Sequence, residues 1–219
     1  MPNDNNNAPE TVDLDAPIPF TTEGLPEHLE VVKAPQPGWD GDEPSAPKEP
    51  VTLPEFELGR DDVLIPLPTL DHLRLAAVQL LGQAQREVLL VTPDLESPRF
   101  NNEEFLSALS AFVRTSRHTV TRILVGNPDD AVREGHKLIS MIHRLSSRIE
   151  IRQLSADDFD PEVSWMLADH WAVLRCTDRS PWQGGLTPKD AAHGRRYRDL
   201  FQSWWERGTV IPDFRNLKI

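Results

Sequence analysis

The spacing of apolar residues changes near residue 60. Before it they come in isolated groups, such as Ile18-Pro19-Phe20 and Val31-Val32, with no helix or strand period. After it the periods are clear. Leu70, Leu73, Ala77, Leu80, Leu81 and Ala84 recur at helical spacing, with Thr69 or Asp71 to cap the start and Pro66 and Pro68 to bar an earlier one. Glu87–Val91 is a short apolar run ended by Thr92-Pro93 and predicts a buried strand. Asn101, with Glu104 three residues on, predicts a capped helix carrying Phe105, Leu109, Phe112 and Val113. Arg122–Gly126 predicts the next strand, ended by Asn127-Pro128. A third helix follows, capped by Asp129 or Asp130, with Val132, Leu138, Met141, Ile142 and Leu145 on its apolar face and Gly135 inside it. Ile149–Leu154 alternates as a strand does. Trp165–Ala168 and Ala172–Cys176 flank Asp169-His170 and predict a hairpin. Gly184-Gly185 reads as a mobile loop, and a last helix runs from about Ala191 to Arg207.

Strands alternating with helices and followed by a hairpin predict an α/β domain over 61–219. Its sheet is expected to be mixed and mainly parallel, flanked by helices. Residues 1–60 hold 13 acidic and three basic residues and 11 of the 20 prolines, a net charge of −10 out of −12. Such a segment buries too little apolar surface to offset chain entropy, and a disordered acidic arm is expected there. Pro17–Phe20 and Leu53–Leu58 are its two candidate docking motifs. The rest of the chain is nearly neutral, at −2, so the overall acidity does not exclude anion binding by the domain.

No apolar run approaches the roughly 20 residues of a spanning helix, and the start lacks the basic and apolar regions of a signal peptide. The single cysteine, Cys176, can form neither an internal disulfide nor a thiolate metal site alone, so a reducing cytoplasm is expected. No cofactor motif is present: the chain has no phosphate-binding loop, no dinucleotide fingerprint and no nucleophile elbow.

The stretch Val91-Thr92-Pro93-Asp94-Leu95, then Phe105-Leu106-Ser107-Ala108-Leu109, then Thr121-Arg122-Ile123-Leu124-Val125 resembles the opening unit of one half of the phospholipase D superfamily. The segments Glu134–Leu138 and Arg144–Arg148 also resemble proteobacterial domains of unknown function. The family's chemical motif is H-x-K-x4-D, in which the His is the nucleophile, the Lys holds phosphate and the Asp supports the site. Aligned on Asp169, its first two positions are Glu162 and Ser164, and the expected Gly-Ser pair is Cys176-Thr177. The resemblance therefore implies the fold without the phosphohistidine chemistry, which needs an imidazole as attacking group. It implies a degenerate active site and a non-catalytic binding or interaction module for a phosphate-bearing ligand or a protein. Halves of this family pair two-fold, so a homodimer is compatible with it.

The candidate ligand residues come from three places. Thr92, Asp94 and Asn127 end the first two strands, where open α/β sheets bind ligands, and Asp169 stands at the hairpin. His136 and Lys137 follow Gly135 and could hold an anion. Ser146, Ser147 and Arg148 supply hydroxyls and a guanidinium suited to phosphate, together with His143, Arg144 and Arg152. Each set has a structural alternative as caps, turns or solvated cations. The other class of function open to the chain is a phosphodiesterase or phosphatase using His136 or His170. A third is a structural subunit docking through Trp204 and Trp205, which either anchor a partner or fill a groove between layers. Nucleic acid is not expected, because the basic patch is small and poor in aromatics.

Overall fold

The computed structural model describes residues 50–211 and Phe214. The acidic segment up to residue 49, with Pro17–Phe20, lies outside them. Thirteen elements follow in order: β1 (Ile65–Leu67), α1 (Leu70–Gln83), β2 (Glu87–Thr92), α2 (Ser97–Phe100), α3 (Glu103–Thr115), β3 (Val120–Val125), α4 (Asp129–Arg133), α5 (Lys137–Arg144), β4 (Ile149–Gln153), β5 (Ser164–Ala168), β6 (Ala172–Arg179), β7 (Trp182–Thr187) and α6 (Ala191–Arg207). They build a mixed α/β fold around one seven-stranded sheet of order β1-β7-β6-β5-β2-β3-β4. Parallel pairing is confined to β2, β3 and β4. The hairpin joins this half through an antiparallel β5–β2 pair, and β7 and β1 extend it antiparallel.

Each sheet face has its own core. α1, α3 and α5 bury Leu73, Leu80, Phe105, Leu109, Phe112 and Met141 against Leu90, Ile123, Met166 and Leu174. The helix periods of the sequence are these faces. On the other side, among the described residues, α6 is the one helix, and it buries Phe201 and Trp205 against Leu89, Val91, Leu124, Trp165 and Leu167. β2 and β3 are apolar on both faces because helices cover both.

Thr69 caps α1 through its side chain, which accepts from the His72 amide. The cap of α3 is Asn102, one residue later than the sequence suggests. Its Oδ1 accepts from the Phe105 amide at 2.9 Å, while Asn101 turns its own Oδ1 to the Lys137 amide at 3.0 Å.

Three expectations change. The third helix is two helices. Gly135 stands at φ +70, a left-handed backbone that ends α4, and is not inside a helix. The His136 amide reaches back to the Ala131 carbonyl and the Gly135 amide to the Val132 carbonyl, the paired bonds of a Schellman cap. The break turns Val132 away from the core, and it is exposed. Gly184-Gly185 is not a loop but the middle of β7, paired to β6 and β1. A Cβ at Gly184 would run into the Arg175 carbonyl oxygen, so the strands approach where only glycine fits. Finally, the packed domain starts before residue 60. Leu53, Phe56 and Leu58 lie partly buried against the first core, and the Leu58 amide donates to Gln83 Oε1 at 2.8 Å.

Of the tryptophans, Trp205 is buried and stacked on Phe201, with centroids 5.5 Å apart. Trp204 is partly buried against the same core. Packing between layers thus accounts for Trp205 wholly and Trp204 in part. Among the described residues no helix is long and apolar enough to cross a membrane.

Candidate functional site

The carboxyl ends of β2 and β3 gather most of the buried polar groups of the domain. β2 ends in Thr92, fully buried. The chain then turns through Leu95 and Glu96, both at positive φ (64 and 36), before α2 begins. This turn carries the Glu96 side chain inward and, three residues on, Arg99; both side chains are entirely buried. Across the sheet, the Val91–Trp165 pair sets Ser164 beside the end of β2.

The three side chains close on one another. Ser164 Oγ donates to Glu96 Oε2 at 2.6 Å and accepts from Arg99 Nη1 at 3.0 Å. Arg99 Nη1 lies 3.4 Å from the same Glu96 oxygen, and Thr92 Oγ1 donates to it at 3.4 Å. A second guanidinium approaches from the end of β6. Arg179 donates to Asp94 Oδ2 at 2.6 Å and lies 3.7 Å from Glu96 Oε1. Asp94 also fixes the turn, its Oδ1 accepting from the Glu96 amide at 2.8 Å. Two acids thus face two arginines: Glu96 and Arg99 are fully buried and balance each other, while Asp94 and Arg179 are partly exposed. Arg99 also packs over the Phe100 ring, 4.7 Å from its centroid. Cys176, the partner of Ser164 across β5 and β6, sits beside the cluster. Burial pushes its thiol up, and its Sγ donates to the Asp178 carbonyl, so it is a thiol and not a thiolate nucleophile.

His136 borders this edge and is buried. Its Nδ1 accepts from the Leu138 amide at 3.1 Å, capping α5. Burial pushes its pKa down, against the opposing pull of the Leu95 backbone and the Asp94 charge. It is a neutral capping imidazole. Asn127 makes a turn, its Oδ1 accepting from the Asp129 amide at 3.0 Å. Lys137 opens α5 and is exposed.

The other expected residues stand elsewhere. Ser146, Ser147 and Arg148 precede β4, which runs parallel to β2 and β3, so they lie at the opposite edge of the sheet from Thr92. Arg148 donates to the Ser116 carbonyl at 2.9 Å. Arg152 does not join that patch: it packs over the Trp205 ring and donates to the Trp205 carbonyl. Asp169 also lies at that edge, in the tight β5–β6 turn at φ 49. Its carboxylate accepts from the Gln85, Arg86 and Glu87 amides at 2.6, 2.7 and 2.9 Å, fixing the entry to β2. Glu162 is exposed in the loop before β5. The candidate set is therefore divided between two edges, and Ser164 and Asp169 sit at opposite ends of β5.

Glu96, Arg99 and Arg179 carry no periodic or spacing signal and were not legible as a site. Their only sequence clue is a charged pair at three-residue spacing following Thr-Pro. Among the described residues no group of three or more His, Cys, Asp or Glu stands close enough to hold a metal ion.

Comparison with known proteins agrees with this architecture. A model of the family "Domain of unknown function (DUF7931)" matches residues 69–217. Among solved structures, the phospholipase D family member Nuc from Salmonella typhimurium superposes with a TM-score of 0.50 at 14% identity, over 65% of this chain and 91% of Nuc. TrmBL2, an archaeal chromatin protein described as showing a novel mode of DNA binding, superposes with a TM-score of 0.50 at 18% identity. That match covers 68% of this chain, which spans 54% of the chromatin protein's length. At such identities the likeness is one of fold, and the fold is phospholipase D-like. No curated protein matches the sequence.

Proposed function

Given that the chain belongs to the DUF7931 family and carries a phospholipase D-like fold, we propose that it is a non-catalytic member of that fold which works by binding rather than turnover. The observation that supports this most is the state of Ser164. It occupies the position where the resemblance requires the phosphate-holding lysine, it is 3% exposed, and its hydroxyl is engaged by both Glu96 and Arg99. A phosphodiester cannot reach that hydroxyl without dismantling a buried ion pair, and Glu162 at the nucleophile position is an exposed anion.

The histidines offered by the hydrolase alternative support the same reading. His136 is buried and spends its Nδ1 on a helix cap. His170 lies at the opposite sheet edge, its pKa lowered first by burial and then by Arg198. The buried lone thiol of Cys176 supports a reducing compartment such as the cytoplasm.

The test is turnover of bis(4-nitrophenyl) phosphate by the full chain across pH 5–9. No release of nitrophenolate above the buffer rate is expected. Turnover that disappears in His136→Asn or His170→Asn, with the melting temperature kept, would overturn the proposal.

A further inference from the structure

The face covered by α6 leaves a cavity that the proposal above does not use. α6 buries the row Gly194, Phe201 and Trp205 against the sheet. Beside it, His193, Arg196, Tyr197 and Leu200 form a stripe at helical spacing that faces Arg175 of β6 across a cavity of about 300 Å³. That is the lower end of the range for small-ligand sites. Arg175 points to the α6 face, and its strand neighbour Cys176 to the other, so this cavity and the Glu96–Arg99 cluster lie on opposite faces of the sheet.

The charges in it are unmatched. Among the described residues neither the Arg175 guanidinium nor that of the exposed Arg196 has an ion-pair or hydrogen-bond partner. Every other arginine drawn toward the sheet on this face does: Arg198 pairs with Glu87, and Arg152 donates to the Trp205 carbonyl. Arg175 is half-buried as well, and holding a partly desolvated guanidinium without an anion is unfavourable. His193 is committed to Asp190 at 2.8 Å. The remaining wall is apolar. Tyr197 packs against Trp165 with its ring tilted by 56° and centroids 4.7 Å apart, and Leu200 is 37% exposed.

We infer that this cavity binds a phosphate monoester of a planar group, with Arg175 and Arg196 on the phosphate and Tyr197 and Leu200 against the ring. Two guanidinium forks match the charge of about −1.5 to −2 on a monoester at neutral pH; a carboxylate would leave one unmatched. The same chemistry is offered by a free nucleotide and by a phosphotyrosine side chain. The inference shares with the proposed function the idea of binding without turnover, but none of its residues.

The experiment is calorimetric titration of the full chain with adenosine 5′-monophosphate, O-phosphotyrosine, inorganic phosphate and adenosine. Saturable binding of one or both monoesters is expected, and the tighter of the two identifies the source. Inorganic phosphate and adenosine should each bind about fivefold more weakly or worse. Arg175→Gln and Arg196→Gln should each weaken the monoester about tenfold or more, with an unchanged melting temperature showing that the fold is kept. Absence of saturable monoester binding, equal affinity for inorganic phosphate, or indifference to both substitutions would overturn it. Any of these results is read independently of nitrophenolate release.

Discussion

Two buried carboxylates sit at opposite ends of β2, and they are held in different ways. Asp169 meets three backbone amides of one short stretch, Gln85 to Glu87. Glu96 meets side chains only, from four separate elements: Thr92 of β2, Arg99 of α2, Ser164 of β5 and Arg179 of β6. The first arrangement needs one residue to be correct, since the backbone supplies the donors whatever the side chains are. The second needs several at once, and each group is costly without the others. A carboxylate on amides is a fastening; a carboxylate between buried side chains is a closed centre, and closure is what withdraws Ser164 from solvent.

The contrast can be broken from the Glu96 side first. Glu96→Gln leaves the Arg99 guanidinium buried with no counter-charge and should cost about 3–5 kcal/mol in chemical denaturation. Adding Arg99→Met should return more than half of that loss, because a neutral apolar pair needs no matching. Asp169→Asn should cost less, about 2 kcal/mol, since one amide oxygen still accepts while the new NH₂ opposes a backbone donor. Recovery by a second substitution is not expected there, as the partners are backbone. Ser164→Ala should be the mildest, about 1 kcal/mol, leaving the ion pair in place.

The smallest effect is in pH. His136 lies at the Glu96 edge and His170 at the Asp169 edge, and burial lowers both below the ordinary imidazole value. A histidine with a lowered folded pKa binds its proton more readily when unfolded, so stability is full above about pH 6.5 and falls as pH drops through the folded value. His136→Asn keeps a capping acceptor and removes the titration. It should flatten the fall in melting temperature between pH 7 and 5.5, and His170→Asn should flatten it less because that ring is half exposed. Equal slopes in both variants would contradict the difference in burial.

Much of this architecture was legible because it rests on repeating patterns. α1, α3 and α6 and the strands β2 to β6 follow from apolar periods bounded by Thr, Asn, Asp and Pro. What escaped lacks such a period. β7 contains Gly184-Gly185 and β1 contains Pro66, residues that depress strand propensity for reasons of close approach and edge position that only the neighbouring strand explains. Gly135 showed as an oddity, yet whether it bends a helix or ends one depends on its φ. At the site, Thr92 and Asp94 were visible as strand-end residues. Glu96 and Arg99 were not, because what makes them a centre is the β2–β5 register that sets Ser164 against them, and no local spacing records it.

The two margins of the sheet also bear on how the protein behaves at high concentration. β1 is only three residues long and has a proline at its middle, so it offers an incoming chain little to pair with. At the far margin the segment after α6 returns to β4, where Gln153 and Thr209 exchange backbone bonds at 2.8 and 2.9 Å and occupy the end of that strand. A sheet with one margin short and proline-broken, and the other engaged at its last residue, offers an incoming strand fewer free backbone groups.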